Sequence, residues 1–169
     1  LRDKSNALTS PTLWSGTTAT SGDATAVKVS TGATAVAGSY AVSVGRLATG
    51  QTVTSAAQPA ASSTLGEGTL TIELGTWDAG DPPAGFTAKA GASAVSITIG
   101  AGETSLSAIR DKINAAGAGV TATLVTDASG TRLSLRSRAT GAENAFRVGV
   151  AETGGSGLSA LAYDPSAGS

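Results

Sequence analysis

Hydrophobic and polar residues alternate most regularly between residues 68 and 99. In the stretch 68–75, Leu70, Ile72 and Leu74 fall on one face of a strand, with threonines and a glutamate opposite. Residues 95–99 repeat the pattern. The two stretches predict a β-hairpin. Its connection, residues 76–92, is rich in Gly, Pro and Asp and is therefore predicted to be a protruding loop.

The spacing changes to that of a helix further along the chain. Leu106, Ile109 and Ile113 recur every three to four residues, which places them on one helical face. A Thr-Ser pair precedes them and can cap the first turn, and Gly117 is typical of a helix C-terminus. This is the only convincing helix in the sequence.

Three further strands are predicted after the helix. Residues 120–126 and 131–137 alternate and are joined by a short turn, which indicates a second hairpin. Phe146, Val148 and Val150 alternate once more, and Phe146 is expected in the core. Beyond them, Leu158, Leu161 and Tyr163 are expected to dock a last turn.

The amino-terminal third gives weaker signals. Strands are predicted at 25–30 and at 39–47, where Tyr40, Val42 and Val44 share a face and Tyr40 is expected to pack in a core. Residues 50–65 are low in hydrophobicity and predict a surface connection between two units. Trp14 is either a packed anchor or an exposed loop residue.

These elements predict an α+β fold that is mostly β. A small antiparallel β domain is followed by a ββαββ unit, in which one helix packs on an antiparallel sheet. The predicted boundaries are 1–22 for a helix end and linker, 23–64 for the small β domain, 65–152 for the ββαββ unit with the loop insertion 76–92, and 153–169 for a tail expected to continue into further sequence.

Composition narrows the possible chemistry. Ala, Gly, Ser and Thr make up roughly three-fifths of the 169 residues, so the core must be thin. A net charge of -1 with dispersed Lys and Arg argues against a nucleic-acid or polybasic membrane surface. His and Cys are absent, which removes histidine-based triads, thiolate sites and the commonest zinc ligands. We expect no enzyme activity, no cofactor and no metal site.

Two groups of charged residues are candidate ligand sites. Asp78 and Asp81 form the closest carboxylate pair and could assist a calcium site, but a solvated turn is the better interpretation. Arg132, Arg136 and Arg138 could attract anions, although alternation places the first two on the outward face of a strand. A solvated face explains them better.

Trp77 and Phe86 are the candidate protein-contact residues. Both lie in the predicted loop 76–92, and exposed aromatic residues are enriched at interface hot spots. Local packing within the loop explains them equally well.

Several blocks of the sequence resemble the flagellar filament-capping protein family, also called hook-associated protein 2. Residues 39–48 (SYAVSVGRLA), 51–55 (QTVTS) and 66–75 (GEGTLTIELG) resemble its amino-terminal region. Residues 106–135 resemble the hook motif named for its Ile-Asn pair, here Ile113-Asn114. Flagellins carry versions of that motif too, so the order of the blocks is what selects the cap family.

The resemblance implies a structural role. Cap proteins of this family are exported unfolded through the flagellar secretion channel, without a cleaved signal peptide, and form a homo-oligomeric ring at the distal filament tip that guides flagellin into place. Residues 1–8 would end the preceding leg helix, and the remainder would belong to the plate domains, including the hook motif domain. Asn114 is expected to bond backbone groups near the helix end.

A second function class stays open at this point. A secreted adhesin or surface β module that binds host mucin, another glycan or a host protein would use aromatic loop tips such as Trp77 as its contact.

Overall fold

The computed structural model describes residues 16–32 and 34–167. Trp14 and the helix end predicted at 1–8 lie outside these residues. The chain divides into two compact units, residues 1–45 and 46–169, and each is described by itself.

The first sheet of the second unit is built around one long central strand. Strand β2 (Glu67–Trp77) pairs antiparallel with β7 (Ala145–Gly154) along one edge. Its other edge pairs with β4 (Val95–Ile99) and then β3 (Phe86–Ala88). Leu70 and Ile72 face the core and are each 1% exposed, as the strict alternation of this stretch requires.

The second sheet has three strands. Strands β5 (Val120–Asp127) and β6 (Gly130–Ser137) form a tight hairpin, and β1 (Thr52–Thr54) pairs with the other edge of β6. Leu133 and Leu135 point from β6 into the core.

The α-helix of the described residues, α1 (Leu106–Ala116), lies between β4 and β5 in the chain. The Ser105 hydroxyl accepts a hydrogen bond from the Ala108 N–H, and Gly117 ends the helix with a φ of 65°. Leu106, Ile109 and Ile113 are at most 1% exposed and join side chains of both sheets in one hydrophobic cluster. The predicted helix, its cap and its last residue are confirmed.

The carboxyl-terminal segment closes the same core. Leu158 and Leu161, on a short 3-10 helix (Leu158–Leu161), are buried, and Tyr163 pairs with Val148 at the free edge of β7. The predicted docking of this turn is confirmed, as is the burial of Phe146, which is fully enclosed.

Two strands predicted in the amino-terminal third are absent from the described residues. No strand forms in the described residues 16–32 and 34–45, so the strands predicted at 25–30 and 39–47 are wrong. Tyr40 is 86% exposed instead of packed in a core. A strand needs a neighbour for its backbone N–H and C=O groups, and the apolar face at 39–47 meets no described surface that would bury it.

Two predicted loops also contain strands. Residues 50–65, predicted as a surface connection, include β1 and extend the ladder to Gln58, which exchanges hydrogen bonds with Thr131. The insertion 76–92 contains the end of β2 and all of β3, so its loop shrinks to 78–85. Long-range pairing gives these polar stretches their structure, and periodicity does not reveal it.

The predicted fold class is confirmed: the chain is α+β and mostly antiparallel β. The four strands expected around the helix divide between two sheets, with β2 and β4 in one and β5 and β6 in the other. Among the described residues, no helix is long and apolar enough to cross a membrane.

Candidate protein-contact site

Three aromatic side chains gather where β2 ends and β3 begins, and we call them the aromatic cluster: Trp77, Phe86 and Tyr163. Trp77 and Phe86 are directly opposite one another in the hairpin, with ring centroids 4.6 Å apart. The rings of Tyr163 and Trp77 are arranged edge-on, with their centroids 6.2 Å apart. Such tilted and edge-on pairs are the favourable arrangements for aromatic rings.

A charged network borders this cluster. Arg147 of β7 lies directly opposite Glu73 of β2, and its Nη2 is 2.6 Å from the Glu73 Oε2. Its Nη1 is 3.7 Å from the Asp164 carboxylate, and its guanidinium lies 4.9 Å from the centre of the Phe86 ring. The guanidinium therefore joins an ion pair to a cation–π contact. A cavity of about 230 Å³ opens beside this network.

Gln51 ties the aromatic cluster to the backbone of β7. Its side-chain Oε1 accepts hydrogen bonds from the Phe146 N–H (2.9 Å) and from the Trp77 indole N–H (3.3 Å). Its Nε2 donates to the Phe146 carbonyl oxygen at 3.1 Å. The carboxamide thus occupies the position that a neighbouring strand residue would take.

The structure places both predicted contact residues, Trp77 and Phe86, within this cluster rather than at a loop tip. Each is partly exposed, and each packs on the other. Their packing explains why the sequence keeps large aromatic side chains here, while contact with a partner protein stays a prediction. Sequence reasoning missed Gln51, Arg147 and Tyr163, because only cross-strand pairing brings them to this point.

The Asp78–Asp81 pair has a structural explanation. Asp78 Oδ1 accepts hydrogen bonds from the backbone N–H groups of Gly80 (3.1 Å) and Ala84 (3.0 Å). The Asp78 carboxylate therefore holds the loop 78–85 in shape. Across the described residues, no group of three potential metal ligands comes together.

Asn114 closes an open strand edge. Its Nδ2 donates to the Ala122 carbonyl oxygen at 2.9 Å, and its Oδ1 accepts from the Ala122 N–H at 2.8 Å. The prediction that Asn114 bonds backbone groups is correct in kind, but these groups belong to β5 rather than to the helix end. The side chain thereby joins α1 to the second sheet.

The three arginines of the candidate anion site lie on one surface. Arg132 and Arg136 project from the outer face of β6, and Arg138 donates to the Thr121 hydroxyl at 3.3 Å. Arg132 is 3.6 Å from the Asp127 carboxylate, whose pKa is held below its usual value, first by a hydrogen bond from the Ser129 hydroxyl. Arg136 is exposed and has no carboxylate within 4.0 Å among the described residues.

Comparison with known proteins gives the family. Residues 1–51 match the flagellar hook-associated protein 2 N-terminus, and residues 85–139 match the flagellin hook IN motif. The chain belongs to the flagellar hook-associated protein 2 family. Within that family, the Ile-Asn pair of the motif is Ile113-Asn114, the core residue and the edge-closing residue described above.

Two curated relatives extend over nearly the whole chain. The B-type flagellar hook-associated protein 2 of Pseudomonas aeruginosa is 36% identical over 165 residues, covering 94% of this chain and 32% of the relative. Flagellar hook-associated protein 2 of Escherichia coli K12 is 37% identical over 168 residues, covering 96% of this chain and 32% of the relative. The chain thus spans about a third of the length of these relatives.

The fold agrees with a solved member of the family. The D1-D2-D3 domains of the flagellar cap protein FliD from Escherichia coli match with a TM-score of 0.59 and 33% sequence identity, over 73% of this chain and 33% of that chain. None of the similar proteins supports the adhesin alternative.

Proposed function

We propose that the protein carrying this chain is a structural subunit of the bacterial flagellar filament cap. In this role it forms a homo-oligomeric ring at the distal tip and promotes assembly of flagellin. The observation that carries the proposal is the co-occurrence, in order, of the hook-associated protein 2 N-terminus and the hook IN motif in one chain, since the motif alone also occurs in flagellins.

The surfaces of the second unit suit a role in protein contacts. Its charged side chains are mostly engaged in holding loops and strand edges, as for Asp78, Glu73 and Arg147. We infer that the protein acts without catalysis. Its location would be extracellular, at the filament tip, after export without a cleaved signal peptide.

Electron microscopy of the full-length protein tests this function. The expected result is ring-shaped oligomers, and density at the distal ends of filaments when the protein is added to a strain lacking its own copy. Restored filament growth would be the matching cellular result. Monomers at every concentration, together with bare filament ends, would contradict the proposal.

A glycan-binding assay tests the adhesin alternative separately. Binding that is lost on Trp77→Ala but kept in Tyr40→Ala, a change at an exposed aromatic residue of the first unit, would favour a surface adhesin. The cap proposal expects no such binding.

A further inference from the structure

The outer face of the sheet β1–β6–β5 carries an excess of positive charge. Arg132, Arg136 and Arg138 lie on or beside it, and Asp127 is the carboxylate that accompanies them. Threonines, a serine and the exposed Val125 fill the space between the arginines, on the side of the sheet that points away from the core. We call this surface the basic face.

The outer face of the other sheet carries the opposite excess. Glu67 and Glu73 project from the same side of β2, and Asp164 lies beside Glu73, while Arg147 is the accompanying cation. Glu67 has no cationic partner within 4.0 Å among the described residues. The rest of this surface, which we call the acidic face, consists largely of small residues such as Thr69, Thr71 and Gly149.

The basic face and the acidic face carry equal and opposite net charges. Each has three charges of one sign and one of the other, and each surrounds them with small or β-branched side chains that lose little entropy when they are immobilised. All the cations on these faces are arginines, the type enriched in interfaces. The lysines of the second unit lie elsewhere, and Lys89 and Lys112 are paired with Glu143 and Glu103.

We propose that the basic face of one copy of this chain docks on the acidic face of a second copy. A second copy is the fitting partner because the equal and opposite charges that the contact needs are both present on this chain, on different faces of one unit. The contact joins two different surfaces, so every copy keeps one face of each type for the next copy, as in a ring or an open series. The inference rests on the self-assembly in the proposed function and names the surfaces that carry it.

Charge reversal in the full-length protein tests this pairing. Arg136→Glu and Glu67→Arg each place like charges across the contact, and each should weaken self-association about tenfold in sedimentation velocity at low salt. The matched control is Arg110→Glu, at a half-buried residue of α1 that pairs with its neighbour Asp111, and it should leave association unchanged. Thermal melting verifies that each variant is folded.

Mixing the two charge-reversed variants tests whether the basic face of one copy contacts the acidic face of another. Arg136→Glu still has an intact acidic face and Glu67→Arg an intact basic face, so an equimolar mixture should regain one intact contact for each pair of copies and should sediment faster than either variant alone. Unchanged association in both single variants, or no recovery in the mixture, would overturn the pairing and leave the cap function standing. A wild-type protein that never self-associates would overturn both.

Discussion

The two units of the chain contain similar alternating patterns and reach different structures. In the second unit, Leu70 and Ile72 alternate with threonines, lie in a central strand and are each 1% exposed. In the first, Tyr40 and Val42 alternate with Ala and Ser, form no strand and are 86% and 66% exposed. Alternation therefore favours a half-buried strand but is not sufficient to form one.

What separates the units is the presence of a partner for each apolar face. The face of β2 meets α1 and residues of the second sheet in one cluster, and both edges of β2 are paired. Burial then contributes on the order of 25 cal/mol per Å² of apolar surface, enough to offset the conformational entropy lost. The first unit orders its described residues through turns and side-chain bonds, such as Thr31 to the Thr17 carbonyl at 2.6 Å.

Truncation of an aromatic side chain should give the largest difference in stability between the two units. Phe146→Ala removes a fully buried ring and is expected to lower the free energy of unfolding by about 3–5 kcal/mol. Tyr40→Ala, at an exposed aromatic position in the first unit, should change it by less than about 0.5 kcal/mol. Urea unfolding followed by circular dichroism measures both. Similar losses in the two variants would mean that the first unit has a core of its own.

Loss of the Asn114 carboxamide should have the next largest effect. Asn114→Leu leaves the buried N–H and C=O of Ala122 without partners and is expected to cost about 2–4 kcal/mol. Ala115→Leu adds the same side chain to an exposed position of α1 and should be close to neutral. An unchanged melting temperature in Asn114→Leu would refute the edge-closing role.

The aromatic cluster should contribute less, because its members are only partly buried. Trp77→Ala is expected to lower the free energy of unfolding by about 1–2 kcal/mol through lost contacts with Phe86 and Tyr163. Trp77→Phe keeps a ring and loses only the bond to Gln51, so about half of that loss is expected. If Trp77→Ala leaves stability unchanged and weakens oligomerisation, the residue is a contact residue instead.

The smallest expected effects are changes in the pKa values of two carboxylates, one in each unit. The pKa of Asp23 lies below its usual 3.8, first because the Thr25 hydroxyl donates to it, and the pKa of Glu103 lies below 4.5, first because of Lys112. A lowered pKa contributes stability at pH values above the usual pKa, and the contribution disappears as the pH falls through the lowered one. Thr25→Val and Lys112→Gln should each raise the pKa of their partner in an NMR titration of the carboxyl carbons. A pKa that stays in place would show that the named bond is not formed in solution.

Local chemistry made part of the fold predictable. The helix followed from the spacing of Leu106, Ile109 and Ile113 and from its cap, because all of these signals lie within a few residues of one another. Strands β1 and β3 could not be predicted, because three residues such as Thr52–Thr54 have no period and gain structure only from pairing with β6. The same holds for the site: the Glu73–Arg147 pair joins residues 74 positions apart.

Gln51 links the two sheets of the second unit through hydrogen bonds. Its backbone carbonyl accepts the Ser137 N–H at 2.9 Å in the second sheet, and its side chain holds both backbone groups of Phe146 in the first. The amide protons of Ser137 and Phe146 are thus sheltered by one residue. In hydrogen–deuterium exchange they should become labelled together, at the rate at which the two sheets separate.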